Sequence, residues 1–217
     1  MKFSKNIRII YAILPLFFLF GCKKPGSYID PNTDVTGFKQ GDIIFQTSLS
    51  AQSKAIQLAT HSKYSHCGII YKNEAGRYLV FEAIQPVKTT PLLAWVARGE
   101  GSHFAVKRLK DADKVLTPKA ALKMKSVGKA MNGKDYDLYF EWNNDRIYCS
   151  ELVWKMYKEA IGLEVGHLQK LKDFDLDNPV VQKKLRERYG KNIPIDEKVI
   201  SPSEIFDSEL LTTVATE

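Results

Sequence analysis

The sequence predicts an α+β fold in which helices cover an antiparallel sheet. Three observations predict it. Two apolar runs, 66–72 and 77–84, flank Asn73-Glu74-Ala75-Gly76, a hairpin signal with Gly76 suited to positive φ. After Cys149, the residues Leu152, Val153, Met156, Tyr157 and Ala160 recur at helical spacing and form one apolar face. Strand and helix patterns do not alternate in the regular βαβ order that a parallel sheet needs.

The other elements follow in chain order. Gly41-Asp42 turns into a buried strand at Ile43-Ile44-Phe45, and Ala51, Ala55, Ile56 and Ala59 predict a short helix over 50–60. Thr90-Pro91 opens a helical turn over Leu92 to Arg98, stopped at Gly99. Phe104 to Leu109 reads as a strand. Thr117-Pro118 starts a helix that Gly133 closes, and Gly162 ends the helix after Cys149. A charged helix is expected over Pro179 to Tyr189. Ser201-Pro202-Ser203-Glu204 fits a capping box ahead of Ile205-Phe206.

The N-terminus sets the compartment. Lys2, Lys5 and Arg8 precede the apolar run Ile9 to Phe20, which is too short for a comfortable membrane span, and Gly21-Cys22 follows. This resembles a bacterial lipoprotein signal, with residues 1–21 removed and Cys22 lipidated. An uncleaved anchor is the alternative; either exports the domain. Residues 22–37, with Pro25, Gly26, Pro31, Asn32 and Gly37, read as a tether, and the folded domain as 38–217.

Composition narrows the function. Of 217 residues, 44% are hydrophobic, which is globular. The formal charge is +7; without the three leader cations, 29 Lys and Arg face 25 Asp and Glu, or +4. That is ordinary surface charge, and no basic stripe is interleaved with stacking aromatics, so nucleic acid is not an expected partner. No Cys/His spacing suits zinc and no Gly-rich loop suits phosphate, so no metal or cofactor is expected. His61, His103 and His167 are read as a helix end, a strand approach and a polar helix position.

The chemistry-bearing residues are Cys149 and His66. A thiol at a helix N-terminus is favoured as thiolate by the macrodipole, and the free N–H groups there can hold an oxyanion. A histidine beside it completes a nucleophile–base pair. If the hairpin pairs Lys72 with Gly76, His66 lies directly across from Glu82. A buried carboxylate costs several kcal/mol unless paired, and an imidazole N–H is its natural partner. Cys67 adjoins His66 in the same strand and points to the opposite face. It is read as core, and a Cys67–Cys149 disulfide is disfavoured. Tyr136, between Asp135 and Asp137, either lines the substrate pocket or donates to the oxyanion, or else plugs the core. Tyr148 is placed in the substrate pocket.

Four motifs in this order resemble one family: Gly41-Asp42-Ile43-Ile44-Phe45, Tyr64-Ser65-His66-Cys67-Gly68-Ile69, Tyr136-Asp137 and Tyr148-Cys149-Ser150-Glu151-Leu152-Val153. Together they are similar to the permuted papain-like amidases of the YaeF/YiiX type, within the NlpC-like cysteine peptidase superfamily. The resemblance runs over about 38–162 and, at a weaker level, to the Ser201-Pro202 segment. It implies a circularly permuted papain-like fold whose histidine strand precedes the cysteine helix, with Cys149 as nucleophile, His66 as base and Glu82 as orienting acid. Valine is common in the family where Cys67 stands, consistent with packing. Cell-wall peptides and acyl or lipid-like amides are the implied substrates. The expectation is a lipid-anchored envelope cysteine hydrolase that cleaves amides through a thioester on Cys149. A lipid-directed acyltransferase and a non-catalytic envelope binding protein are the alternatives.

Overall fold

The computed structural model describes residues 37–217; the leader, Cys22 and the tether up to residue 36 lie outside the described residues. A six-stranded antiparallel sheet carries the fold. Its strands are β1 (Ile43–Gln46), β2 (His66–Lys72), β3 (Tyr78–Glu82), β4 (Lys88–Pro91), β5 (Ala105–Leu109) and, numbered in chain order, β10 (Leu211–Thr216). Their spatial order is β10-β5-β1-β2-β3-β4. Strand β10 lies beyond the last element read from the sequence. Its Thr212, Thr213, Val214 and Thr216 supply a β-branched signal, and its pairing with β5 closes the sheet edge that β5 would otherwise expose.

Alternation along the strands sorts the core into two layers. Ile43, Phe45, Cys67, Ile69 and Phe81 face helices α4 (Pro118–Met131) and α5 (Cys149–Ile161), meeting Met124, Leu152, Val153, Met156 and Tyr157. Ile44, Ile70, Val80 and Val106 face the short helix α2 (Leu92–Ala97) and bury Leu92, Trp95 and Val96. A third cluster joins helix α1 (Ser53–Thr60) to α6 (Pro179–Tyr189) through Leu58, Ala59, Val181 and Leu185. Between these elements lie a four-residue helix α3 (Ala112–Val115) and two two-stranded pairs. The pairs are β6 (Asp135–Tyr136) with β7 (Arg146–Ile147), and β8 (Gln169–Lys170) with β9 (Lys198–Val199). Helix α7 (Pro202–Phe206) completes the chain before β10.

Several expectations change. The hairpin pairs Lys72 with Tyr78, not with Gly76. Asn73 sets the longer loop: its carbonyl accepts from Gly76 N–H (2.9 Å) and its side-chain oxygen from Arg77 N–H (2.9 Å). Gly76 does take positive φ, at 74°. The β2–β3 register therefore moves by two residues, and carried one step past Ile69–Phe81 it sets Gly68, rather than His66, across from Glu82. A two-residue shift preserves the face, so His66 and Glu82 remain on one side as diagonal neighbours. His167 lies in the loop after α5 rather than in a helix, where its N–H donates to Glu204 Oε1 (3.1 Å). Only half of the expected capping box forms: Ser201 Oγ accepts from Glu204 N–H (3.1 Å), while the Glu204 carboxylate serves His167.

Candidate active site

Helix α5 places Cys149 as its first residue, after Tyr148 in extended conformation. The apolar face predicted for this helix packs on β2, which directs the Cys149 side chain at the end of the sheet where β2 begins with His66. His66 Nε2 lies 2.7 Å from Glu82 Oε2, which leaves Nδ1 for the thiol. Gly68 makes the diagonal possible. A Cβ there would stand 2.5 Å from Val80 Cγ1, 2.9 Å from the Phe81 carbonyl oxygen and 3.3 Å from Glu82 Cβ, in the space the carboxylate crosses.

Glu82 is fully buried and fully partnered. Besides His66 it accepts from Trp95 Nε1 (2.9 Å), Arg98 Nη2 (2.5 Å) and Thr90 Oγ1 (2.6 Å). Burial alone would push its carboxyl up. The bonds from His66, Arg98 and Thr90 outweigh burial and bring it down to about 2. Trp95 also stacks on the His66 ring, with centroids 5.8 Å apart. For His66, burial again opposes the charged form, but the hydrogen bonds to Cys149 and Glu82 raise it to about 9. Cys149 goes the other way. A hydrogen bond from the Cys67 thiol, opposed by burial and joined by the hydrogen bond and positive charge of His66, holds it well below the ordinary thiol range. The two shifts together favour a thiolate–imidazolium pair.

The role of Cys67 differs from the expectation. It is buried in the core as read, but its thiol meets Cys149, so it shares the site that strand alternation seemed to deny it. Alternation sends Cys67 to the face where α5 lies, and Cys149 approaches from that same face. Histidine 66, at the strand terminus, is reached around the end. Both thiols are free.

Tyr136, in β6, is half-buried at the junction of two cavities, and its hydroxyl accepts from Gln52 Nε2 (2.8 Å). It lines the pocket rather than plugging the core. Tyr148 lines the inner cavity too, with its hydroxyl accepting from Ile200 N–H (3.1 Å) and its ring edge-on to Phe140 at 5.0 Å. Gln52 in turn accepts from Arg188 Nη2 (2.9 Å).

Three comparisons bear on this arrangement. Residues 37–215 match the family described as permuted papain-like amidase enzyme, YaeF/YiiX, C92. The chain belongs to that family. It is 53% identical over 177 residues to the uncharacterized protein YiiX of Escherichia coli (strain K12), covering 82% of this chain and 86% of that protein. It also resembles a solved structure, that of the metalloprotein YiiX from Escherichia coli O157:H7. The TM-score is 0.79 at 53% identity, over 82% of this chain and 97% of that one. The permuted papain-like fold is thus shown, with the histidine strand ahead of the cysteine helix in the chain.

Within this YaeF/YiiX frame, sequence reading missed Thr90, Trp95, Arg98, Gln52 and Arg188. Trp95 and Arg98 carried a faint signal, an indole and a guanidinium in a short apolar turn. Gln52 and Arg188, 136 residues apart in sequence, carried none.

Proposed function

We propose that this chain is a cysteine amidase that works through a thioester on Cys149. The observation that carries the reading is the buried relay from Glu82 through His66 to a thiol at the N-terminus of α5. Cys149 thiolate attacks the amide carbonyl, forming the C–S bond and an oxyanion. The Cys149 backbone N–H, at the positive end of α5, stabilises that charge. So does the Tyr136 hydroxyl, whose own hydrogen is free because its oxygen accepts from Gln52. Imidazolium His66 gives its proton to the departing nitrogen as the C–N bond breaks. Neutral His66 then takes a proton from water, which attacks the thioester and releases the acid and the thiolate. Glu82 holds the tautomer throughout and stabilises the imidazolium.

The E. coli O157:H7 relative is called a metalloprotein. Among the described residues here, no group of three or more His, Cys, Asp or Glu side chains is arranged to hold a metal ion. The His66 ring is already engaged by Glu82 and Cys149. The reaction above has no metal step.

The charged start, short apolar run and Gly21-Cys22 support an envelope location with Cys22 as lipid anchor. Cell-wall peptides and acyl amides are the candidate substrates. The test is to incubate the full chain with peptidoglycan fragments and with N-acyl amides and to identify products by mass spectrometry. Free acid and amine should appear, and Cys149→Ala should yield neither. Acyl transfer to an added amine in place of hydrolysis would assign the chain to acyltransferases, and cleavage that survives in Cys149→Ala would refute the mechanism.

A further inference from the structure

Two cavities meet at the reactive pair, and they differ in kind. An inner one of about 100 Å³ is lined by Cys149 but not by His66. Its wall is built from α1, α6 and the segment between β8 and α6: Ala55, Ala59, Phe174, Leu176, Val181 and Leu185. An open cleft of about 910 Å³ is lined by His66 but not by Cys149, with Ser48, Gln85 and Arg98 on its walls. Gln52, Tyr136, Lys184 and Arg188 line both and mark the boundary.

The chemistry assigns a substrate half to each. The departing nitrogen must take its proton from His66, so the amine lies on the cleft side. The acyl group stays bonded to Cys149 and lies on the inner side. From this we infer that the acyl half of the substrate is an unbranched hydrocarbon chain seated in the inner cavity, so that the substrate is an N-acyl amide rather than a peptide. The inference rests on the amidase reading.

Hydrogen bonding separates a hydrocarbon chain from a peptide here. A peptide acyl half would carry further amide groups into the inner cavity, where each needs a partner. Apart from Tyr136, Lys184 and Arg188 at the boundary with the cleft, the polar side chains on its wall are engaged with protein partners. Ser150 Oγ donates to the Ile200 carbonyl (2.8 Å), Ser201 Oγ accepts from Glu204 N–H (3.1 Å), and Gln52 holds Tyr136 and Arg188. A hydrocarbon chain asks for none of them. An apolar cavity of roughly 150 Å³ takes a six-carbon ring; one of about 100 Å³ takes about four carbons beyond the carbonyl.

The test uses the full chain and two linear series from two to twelve carbons, below their micelle concentrations. One is N-acyl aminocoumarin amides, read as kcat/KM. The other is alkyl chloromethyl ketones, read by mass spectrometry as the rate of Cys149 alkylation. Both rates should rise about three- to fourfold per methylene up to about five carbons and then level or fall. Ala59→Phe, which fills the cavity, should cut the five-carbon to two-carbon ratio at least about tenfold, and Leu185→Ala should move the optimum to longer chains. Flat series, N-acetyl dipeptide amides outpacing the pentanoyl amide, or ratios unmoved in both variants would overturn the acyl pocket while leaving the amidase reading intact. A chain-length rise with the ketones and no cleavage of any amide would do the reverse: the pocket would stand and the amidase reading would fall.

Discussion

The site favours a thiolate beside an imidazolium, because the Cys67 hydrogen bond, the Cys149–His66 hydrogen bond and the opposite charges outweigh the burial that opposes them. That state spans from below the ordinary thiol range up to about 9, where His66 loses its proton. Amide hydrolysis should therefore fall as pH rises through about 9, since the leaving nitrogen then lacks its acid. Glu82→Gln removes the negative partner. Its alkaline limb should move to lower pH, with kcat reduced about a hundredfold, while thiol alkylation is partly kept. A limb left in place would show that Glu82 does not set the His66 proton. The same pair couples to folding. His66 is raised from 6.5 to about 9, so its contribution to stability is complete below 6.5 and is lost as pH rises through about 9. Glu82 is lowered from 4.5 to about 2, so its contribution is complete above 4.5 and is lost as pH falls through about 2. Glu82→Gln should flatten both arms of the Tm-against-pH curve. Cys67 offers a separate check. Limiting iodoacetamide at pH 7 should label Cys149 and spare Cys67, whose thiol is pushed well above its ordinary range by burial. Cys67→Val removes the hydrogen bond to the thiolate, so the pH midpoint of Cys149 alkylation should rise. An unchanged midpoint would mean that His66 alone sets the thiolate.

At the scale of elements, the decisive contact is a diagonal across β2 and β3, and a glycine permits it. Gly68→Ala would place a methyl 2.9 Å from a backbone oxygen, which cannot rotate away as a side-chain tip can. The strands must separate, at a cost of about 1–3 kcal/mol, and the His66–Glu82 bond lengthens with them. Chemical unfolding should show a lower midpoint, and the alkaline limb of activity should shift toward that of Glu82→Gln. A variant with full stability and an unshifted limb would show that the carboxylate reaches His66 by another path. The hairpin loop accounts for the two-residue difference between the register expected from the sequence and the observed one. Asn73 closes a five-residue loop through its side chain, and neither the apolar pattern nor Gly76 encodes that closure. The face survived because the shift is even.

For the whole molecule, the sheet divides the work. Its α5 face carries the thiols and its α2 face carries Glu82 and Trp95, and His66 at the strand end joins the two. Among the described residues no helix is long and apolar enough to cross a membrane. Attachment of this chain to a bilayer is proposed through Cys22, on the charged start and short apolar run before Gly21-Cys22. One acyl chain binds a bilayer marginally and two or more hold it firmly. Cells expressing the wild-type chain should carry it in the membrane fraction. Cys22→Ser behind an ordinary secretory leader should release it to the soluble fraction. Persistence of that variant in the pellet through a high-salt wash would place the anchor in the folded domain.

Periodicity and punctuation in the chain were enough to name the hairpin, the thiol-bearing helix and its apolar face, since each depends on residues within one or two turns of one another. The residue types Cys149, His66 and Glu82 were also legible, because a thiol at a helix start and a carboxylate inside an apolar run are locally anomalous. Tertiary structure decided the rest. It brought Cys67 to the nucleophile, set Arg98, Trp95 and Thr90 around Glu82, paired β10 with β5, and folded α6 over α1 to wall the inner cavity. Those contacts join residues of different elements, and a hydrophobic pattern records which face is buried without recording what buries it.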